Sequence, residues 1–124
     1  MRHEAEIRER YMKDVLPIRL GGLAANLARI SSFSQNPRNF AAIETMITES
    51  EHFIEWLAPD APVDTLAPLA ELQIDLARWA RRLASVPGDP EVRMELAIFA
   101  RTWSDRVLAM SGLMDEETSE SAAG

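Results

Sequence analysis

Large apolar side chains recur along this sequence at alternating spacings of three and four residues. Four segments carry the pattern, and in one of them it is unbroken over six positions: Leu69, Leu72, Leu76, Trp79, Leu83 and Val86. Such spacing places side chains on one face of an α-helix, because a helix makes one turn about every 3.6 residues. No segment alternates apolar and polar residues with a period of two over the length of a strand. The sequence therefore predicts an all-α protein with four helical segments.

Proline residues mark where these helical segments begin. Asn36 and Asp89 each stand directly before a proline, and both belong to the residue types that cap helix N-termini. Pro68 is expected only in the first turn of a helix, so the third helix should begin near Thr65, with Asp64 or Thr65 as its cap. The predicted helices span approximately residues 4–35, 37–58, 65–86 and 90–113.

The first predicted helix is the longest, and Pro17 lies inside it. A proline within a helix removes a backbone hydrogen bond and crowds the preceding turn, so we expect a kink or a break there. Short connections make consecutive helices antiparallel neighbours. We therefore expect residues 1–114 to form one up-down-up-down four-helix bundle with a longer, Pro-kinked first helix. Residues 115–124 are acidic and small, which predicts a disordered tail.

Charge and composition exclude several classes of function. The formal net charge of −7 argues against nucleic-acid binding, which needs a concentrated positive surface. The chain has no cysteine, so disulfides, thiolate metal sites and cysteine nucleophiles are excluded. No apolar run approaches the ~18 residues of a membrane span, and the first residues are charged where a secretory signal would be apolar. We predict an acidic cytoplasmic protein that binds neither nucleic acid nor membranes.

The stretch "LGGLAANLARISSF" resembles the phosphoacceptor helix of sensor histidine kinases. The similarity is carried by Leu23, Ala24, Ala25 and Ala28. Arg29 stands where that family has its phosphorylated histidine, so the resemblance implies a dimerising helical bundle rather than phosphotransfer. The small residues of this stretch also indicate a place where two helices approach closely.

Residues suited to catalysis or metal binding are few. Glu49 and His52 have the Glu-x-x-His spacing of di-iron helical bundles, but a second such pair is absent because the remaining histidine, His3, lies near the start of the chain. His52 is expected to be exposed, and a lone exposed histidine without an orienting partner is usually a surface residue. We therefore predict no catalytic residue, no metal ligand, no cofactor and no enzymatic activity.

Several polar residues lie on or beside the apolar stripes. If they met inside the bundle, they would form either a hydrogen-bonded layer that sets the register of the helices or a site for a small polar ligand. These residues are Asn26, Arg29, Ser50 and Gln73.

Other apolar residues fall outside the predicted core faces. One line of them precedes and surrounds Pro17, and it could fold back on the bundle or cover the same segment of a second molecule. Others lie on the third and fourth predicted helices. The candidate interface residues are Ile7, Tyr11, Val15, Ile18, Ile74, Met94 and Ile98.

The function predicted from these residues is a non-enzymatic helical protein–protein interaction or regulatory module that acts as a homodimer, with another protein partner possible. One alternative is a small-ligand or cofactor-binding helical bundle, which a large cavity lined by Trp79, Phe99 and Trp103 would favour. The second alternative is a phosphorelay-like helical protein.

Overall fold

The computed structural model describes residues 2–112, and all regular structure in this range is helical. It contains five α-helices, and a short 3₁₀ helix lies at each end of α3, at Pro37–Asn39 and Ala58–Asp60. The α-helices are α1 (Arg2–Met12), α2 (Leu16–Phe33), α3 (Phe40–Leu57), α4 (Val63–Ser85) and α5 (Pro90–Ser111). The absence of strands from residues 2–112 confirms the all-α prediction. The predicted tail, residues 115–124, lies outside the described residues.

Two helices occupy the segment that the sequence predicted as a single kinked helix. Helix α1 ends at Met12 and α2 begins at Leu16, so the chain leaves the helical conformation before it reaches Pro17. Pro17 lies in the first turn of α2. A proline is well tolerated there because a first-turn N–H has no helical acceptor in any case. Pro17 therefore starts the second helix instead of kinking a longer first one.

Two of the N-caps predicted from the proline signals, Asn36 and Asp89, are present, and the third is not. Helix α4 begins at Val63 after Pro62, without a side-chain cap from Asp64 or Thr65, and Pro68 lies inside the helix and not in its first turn. The Asn36 side chain accepts a hydrogen bond from the backbone N–H of Arg38 at 2.9 Å. The Asp89 carboxylate accepts from the backbone N–H groups of Glu91 and Val92 at 2.9 and 3.1 Å. Asn36 thus caps the 3₁₀ helix that precedes α3, and Asp89 caps α5; each satisfies N–H groups that the first turn leaves without acceptors.

Helices α2 to α5 each contribute one apolar face to a single core. Burial of each of these large side chains contributes about 1.5–3 kcal/mol relative to an exposed position, so the core is the main source of stability. The largest fully buried side chains are Leu23, Leu27, Ile30, Ile43, Ile47, Leu57, Leu69, Leu72, Leu76, Leu83, Leu96 and Val107.

Helix α2 packs most extensively against α5. The hydroxyl of Ser104 donates to the carbonyl of Ala24 at 2.7 Å, and the hydroxyl of Ser31 donates to the carbonyl of Ala97 at 2.7 Å. Because the residue number rises on one helix as it falls on the other, these two helices are antiparallel. Small residues at the contact allow the two backbones to approach closely enough for side chains to reach the opposite carbonyls. None of the helices within residues 2–112 has the length and apolarity required to cross a bilayer.

Candidate functional site

Helix α1 lies against α3 of its own chain. The ring of Tyr11 stacks on the ring of Phe53, with centroids 4.2 Å apart and 4° between the ring planes. The Tyr11 hydroxyl donates to the backbone carbonyl of Arg19 at 2.6 Å. Ile7, one turn earlier on α1, is partly buried against the same core. The structure thus places the first two candidate interface residues in the fold-back arrangement.

Arg19 connects the break between α1 and α2 to the end of α3. Its side chain is buried, and its Nε donates to the carbonyl of Asp14 at 3.0 Å. Its guanidinium also forms an ion pair with Asp60 at 3.0 Å. A buried guanidinium needs such partners because an unpaired charge inside a protein is strongly destabilising. The sequence analysis did not identify Arg19, because its partners are distant from it or are backbone groups.

The surroundings of Tyr11 change its acid–base behaviour. Burial raises the pKa of the Tyr11 hydroxyl well above its ordinary value, since the phenolate would lose hydration. The positive charge of Arg19 lowers this pKa and the negative charge of Asp14 raises it, and both effects are smaller than that of burial. Tyr11 therefore stays neutral in the folded protein at pH values where a free tyrosine ionises.

A cleft of about 480 Å³ separates the outer parts of α1 and α3. His52 borders it, and its ring stacks on that of Trp56 with centroids 5.5 Å apart. Nδ1 of His52 lies 3.5 Å from a carboxylate oxygen of Glu4 on α1. His52 is 30% exposed. It is more buried than the sequence predicted because α1 covers this face of α3.

The predicted Glu-x-x-His pair borders the same cleft. Glu49 and His52 both line it, as their i, i+3 spacing on α3 requires, and His3 and Glu4 line it from α1. Within residues 2–112, however, the structure contains no group of three or more His, Asp or Glu side chains placed to hold one metal ion. The cleft is an acidic surface feature with an aromatic wall.

The polar residues near the stripes form a layer between α2 and α3. Asn26 is fully buried, and its amide donates to the carbonyl of Met46 at 3.0 Å and to the hydroxyl of Ser50 at 2.8 Å. Arg29 donates to the Asn26 side-chain oxygen at 2.8 Å. Gln73 lies apart from this layer and donates to the carbonyl of Glu51 at 3.2 Å. Asn26 has protein partners for both its donor and its acceptor groups, which agrees with a role in helix register.

Replacing Asn26 by alanine is expected to destabilise the fold by about 2 kcal/mol, because buried hydrogen-bonding groups on α2 and α3 lose their partner. Urea unfolding at fixed protein concentration measures the change. The same measurement is made on Ser50→Ala and on the double variant Asn26→Ala/Ser50→Ala. The double variant should lose less than the sum of the single losses, since both substitutions remove the same hydrogen bond. If the losses in the free energy of unfolding were strictly additive, the hydrogen bond between Asn26 and Ser50 would contribute nothing to stability, which would contradict the proposed layer.

The aromatic residues of α4 and α5 lie in two different surroundings. Trp79 and Phe99 line an open groove of about 300 Å³, and the guanidinium carbon of Arg82 lies 4.9 Å from the centre of the Trp79 ring. Trp103 is buried in the core and is covered by Arg106, whose guanidinium carbon lies 4.0 Å from the centre of the indole. Trp79 and Phe99 therefore border the surface, whereas Trp103 belongs to the core.

The remaining candidate interface residues are exposed. They lie on α4, on α5 and around the start of α2, and their exposed fractions range from 47% to 66%. These residues are Val15, Ile18, Ile74, Met94 and Ile98. The sequence analysis missed Val63 at the start of α4, which is 85% exposed. Its position next to Pro62 gives no periodic signal that would have identified it.

Met94 and Ile98 lie one turn apart on α5. Both line a groove of about 430 Å³ that runs between the first half of α5 and the end of α2. Arg93 holds this junction together, since its guanidinium donates to the carbonyls of Ser34 and Gln35 at 3.2 and 3.1 Å. The structure therefore brings these two candidate interface residues together on a well-supported surface.

Comparison of the chain with protein-family models, with curated proteins and with solved structures found no match. No relative therefore supplies residue roles. Burial, charge and side-chain placement are the basis for the function proposed below.

Proposed function

We propose that this protein is a non-enzymatic helical interaction or regulatory module that acts as a homodimer. The observation that supports it most directly is the pair Met94 and Ile98, which are 66% and 64% exposed on a helix whose opposite face forms the core. Burial of these side chains against a second chain would contribute about 1.5–3 kcal/mol each. A cytoplasmic location stays part of the proposal.

We also propose that α2 to α5 form an up-down-up-down bundle, with α1 packed outside it on α3. The hydrogen bonds between α2 and α5 described above support this arrangement. Neighbouring helices are further linked by Asn26 to Met46 between α2 and α3, and by Gln73 to Glu51 between α3 and α4. Helices α4 and α5 are joined by an ion pair. Each helix thus contacts the next one in the chain, and the last returns to α2.

A bundle of this kind would present α5 as a rigid docking surface. Its N-terminus is held by the Asp89 cap and by Arg93, so the exposed side chains of Met94 and Ile98 start from ordered backbone. An ordered surface binds with a smaller entropy loss than a flexible segment of the same composition. Affinity would come from apolar burial, and selectivity from the charges around it.

The mass in solution tests the homodimer. Light scattering between about 1 µM and 1 mM covers the range in which weak and moderate dimers dissociate. We expect the mass to rise towards twice the 13.9 kDa of the single chain. The Ile98→Asp variant should raise the dissociation constant by about tenfold or more, because a buried carboxylate would be unpaired. Its matched control is Ile74→Asp. Ile74 is also exposed, but this proposal places it on α4 outside the interface, so the variant should dimerise as the unmodified protein does.

A mass equal to that of one chain at every concentration would exclude the homodimer. The small-ligand alternative would then be preferred, because it needs no second chain. The observation in its favour is the cleft between α1 and α3, whose volume of about 480 Å³ is within the range of small-ligand sites. Its carboxylates and the Trp56 ring would suit an organic cation.

A further inference from the structure

Five exposed residues form a line along the outer face of α5. They follow one another at spacings of three, four, three and four residues, which is the spacing of residues that face a partner helix in a coiled coil. The core face of the same helix lies on its other side, with Val92, Leu96 and Ala100 buried. We call the outer line the α5 seam, and its members are Glu91, Met94, Ile98, Arg101 and Asp105.

Two copies of the α5 seam that run antiparallel place complementary side chains opposite each other. If a second α5 is laid against the first with the two-fold axis level with Leu96, Met94 of each copy faces Ile98 of the other. The same arrangement places Glu91 of each copy opposite Arg101 of the other. Two-fold symmetry thus produces two apolar contacts at the centre and two opposite-charge contacts around them.

The parallel arrangement lacks this complementarity. It would place Glu91 opposite Glu91 and Arg101 opposite Arg101, and like charges facing each other across an interface are unfavourable. Charge therefore selects one orientation of the two helices.

The other described helices leave the seam side chains exposed to solvent. Among residues 2–112, Arg101 forms one ion pair, a loose contact of 3.9 Å with Asp105, and both groups are largely exposed. Glu95, which flanks the seam, is held away from it by Arg82 of α4 at 2.7 Å. The groove beside Met94 and Ile98 offers room for apolar side chains of a second copy.

We infer that the homodimer forms by antiparallel pairing of the α5 seams of two copies, with Met94 against Ile98 and Glu91 against Arg101. This inference rests on the proposed function, because it specifies the surface through which the proposed homodimer forms. The occupant of the seam is a second copy of this chain, since the complementarity is between the seam and itself.

Two charge reversals, Glu91→Arg and Arg101→Glu, test the pairing. Each single variant places like charges opposite each other twice in its own homodimer, and we expect its dissociation constant to rise about tenfold. An equimolar mixture of the two variants restores both opposite-charge contacts, so it should dimerise within about threefold of the unmodified protein. The dissociation constants are measured by sedimentation at low salt, because salt screens these contacts. Circular dichroism of each variant shows whether its helices are intact.

The double variant Glu91→Arg/Arg101→Glu is a second readout. It exchanges the two charges within one chain, so its own homodimer should regain the affinity that each single variant loses. Two results would overturn the antiparallel pairing without contradicting the homodimer. In the first, the single variants have the dissociation constant of the unmodified protein. In the second, the mixture and the double variant both keep the raised dissociation constant of the single variants. An unmodified protein that is monomeric throughout would overturn the homodimer and this inference together.

Discussion

Replacing Leu76 by alanine is expected to lower the free energy of unfolding by about 3 kcal/mol. Leu76 is fully buried on the core face of α4. Its truncation removes the transfer free energy of the lost methyl groups and leaves a cavity that the neighbouring helices fill incompletely. Helix propensity opposes this loss by a few tenths of a kcal/mol at most, since alanine is the better helix former. Urea unfolding followed by circular dichroism measures the change.

The matched control lies two residues away on the same helix. Ile74 is 55% exposed, and its replacement by alanine should change the stability by less than about 0.5 kcal/mol. The two variants delete aliphatic side chains of equal size, so they differ chiefly in burial. Both proteins must be compared at the same concentration, because the proposed dimer would contribute to apparent stability. Equal losses for the two variants would show that the faces of α4 are assigned wrongly.

The stability of the fold is expected to fall as the pH rises above about 10, the pKa of an unperturbed tyrosine. In the folded protein, burial raises the pKa of Tyr11 above that value. The unfolded chain therefore releases the Tyr11 proton at a pH where the folded chain still binds it. The stabilisation is complete below the unfolded pKa and is lost as the pH approaches the folded one, with a slope of at most about 1.4 kcal/mol per pH unit.

Tyr11 is the only tyrosine in the chain, so its ionisation can be followed directly by the near-ultraviolet absorbance of the phenolate. Urea unfolding at several pH values between about 9 and 12 gives the accompanying stability. The control is Tyr11→Phe, which keeps a ring against Phe53 but cannot ionise. It should be about 1 kcal/mol less stable at neutral pH, through loss of the hydrogen bond to Arg19, and less sensitive to alkali. A Tyr11 hydroxyl that titrates in the folded protein like a free tyrosine would contradict its packing against Phe53 of α3 and Arg19 of α2.

Features of the fold that depend on neighbours in sequence were predictable. Core residues such as Leu27, Leu72 and Leu96 were identified from spacing, because a helix repeats its buried face within four residues. The caps at Asn36 and Asp89 were identified because a capping side chain contacts backbone groups two or three residues away.

Features of the fold that depend on long-range contacts could not be predicted from the sequence. Arg19 was not recognised as a buried residue, because its ion-pair partner Asp60 lies far away in sequence. The partial burial of His52 also required knowledge of where α1 lies. Pro17 was identified as a disruption of the helix, but the break lies before it, between Met12 at the end of α1 and Leu16 at the start of α2.

The sequence by itself determined that this protein is helical, where most helices begin, and which apolar faces are buried, because backbone periodicity and capping act within a few residues. It also identified apolar residues outside the predicted core faces. Among these, it did not distinguish Ile7 and Tyr11 from Met94 and Ile98, since all four were candidate interface residues. Only the tertiary structure shows that these two pairs of residues have different surroundings. The break before Leu16 lets α1 turn back, so Ile7 and Tyr11 contact α3, whereas Met94 and Ile98 lie on a helix whose outer face is not covered by another described helix of the same chain.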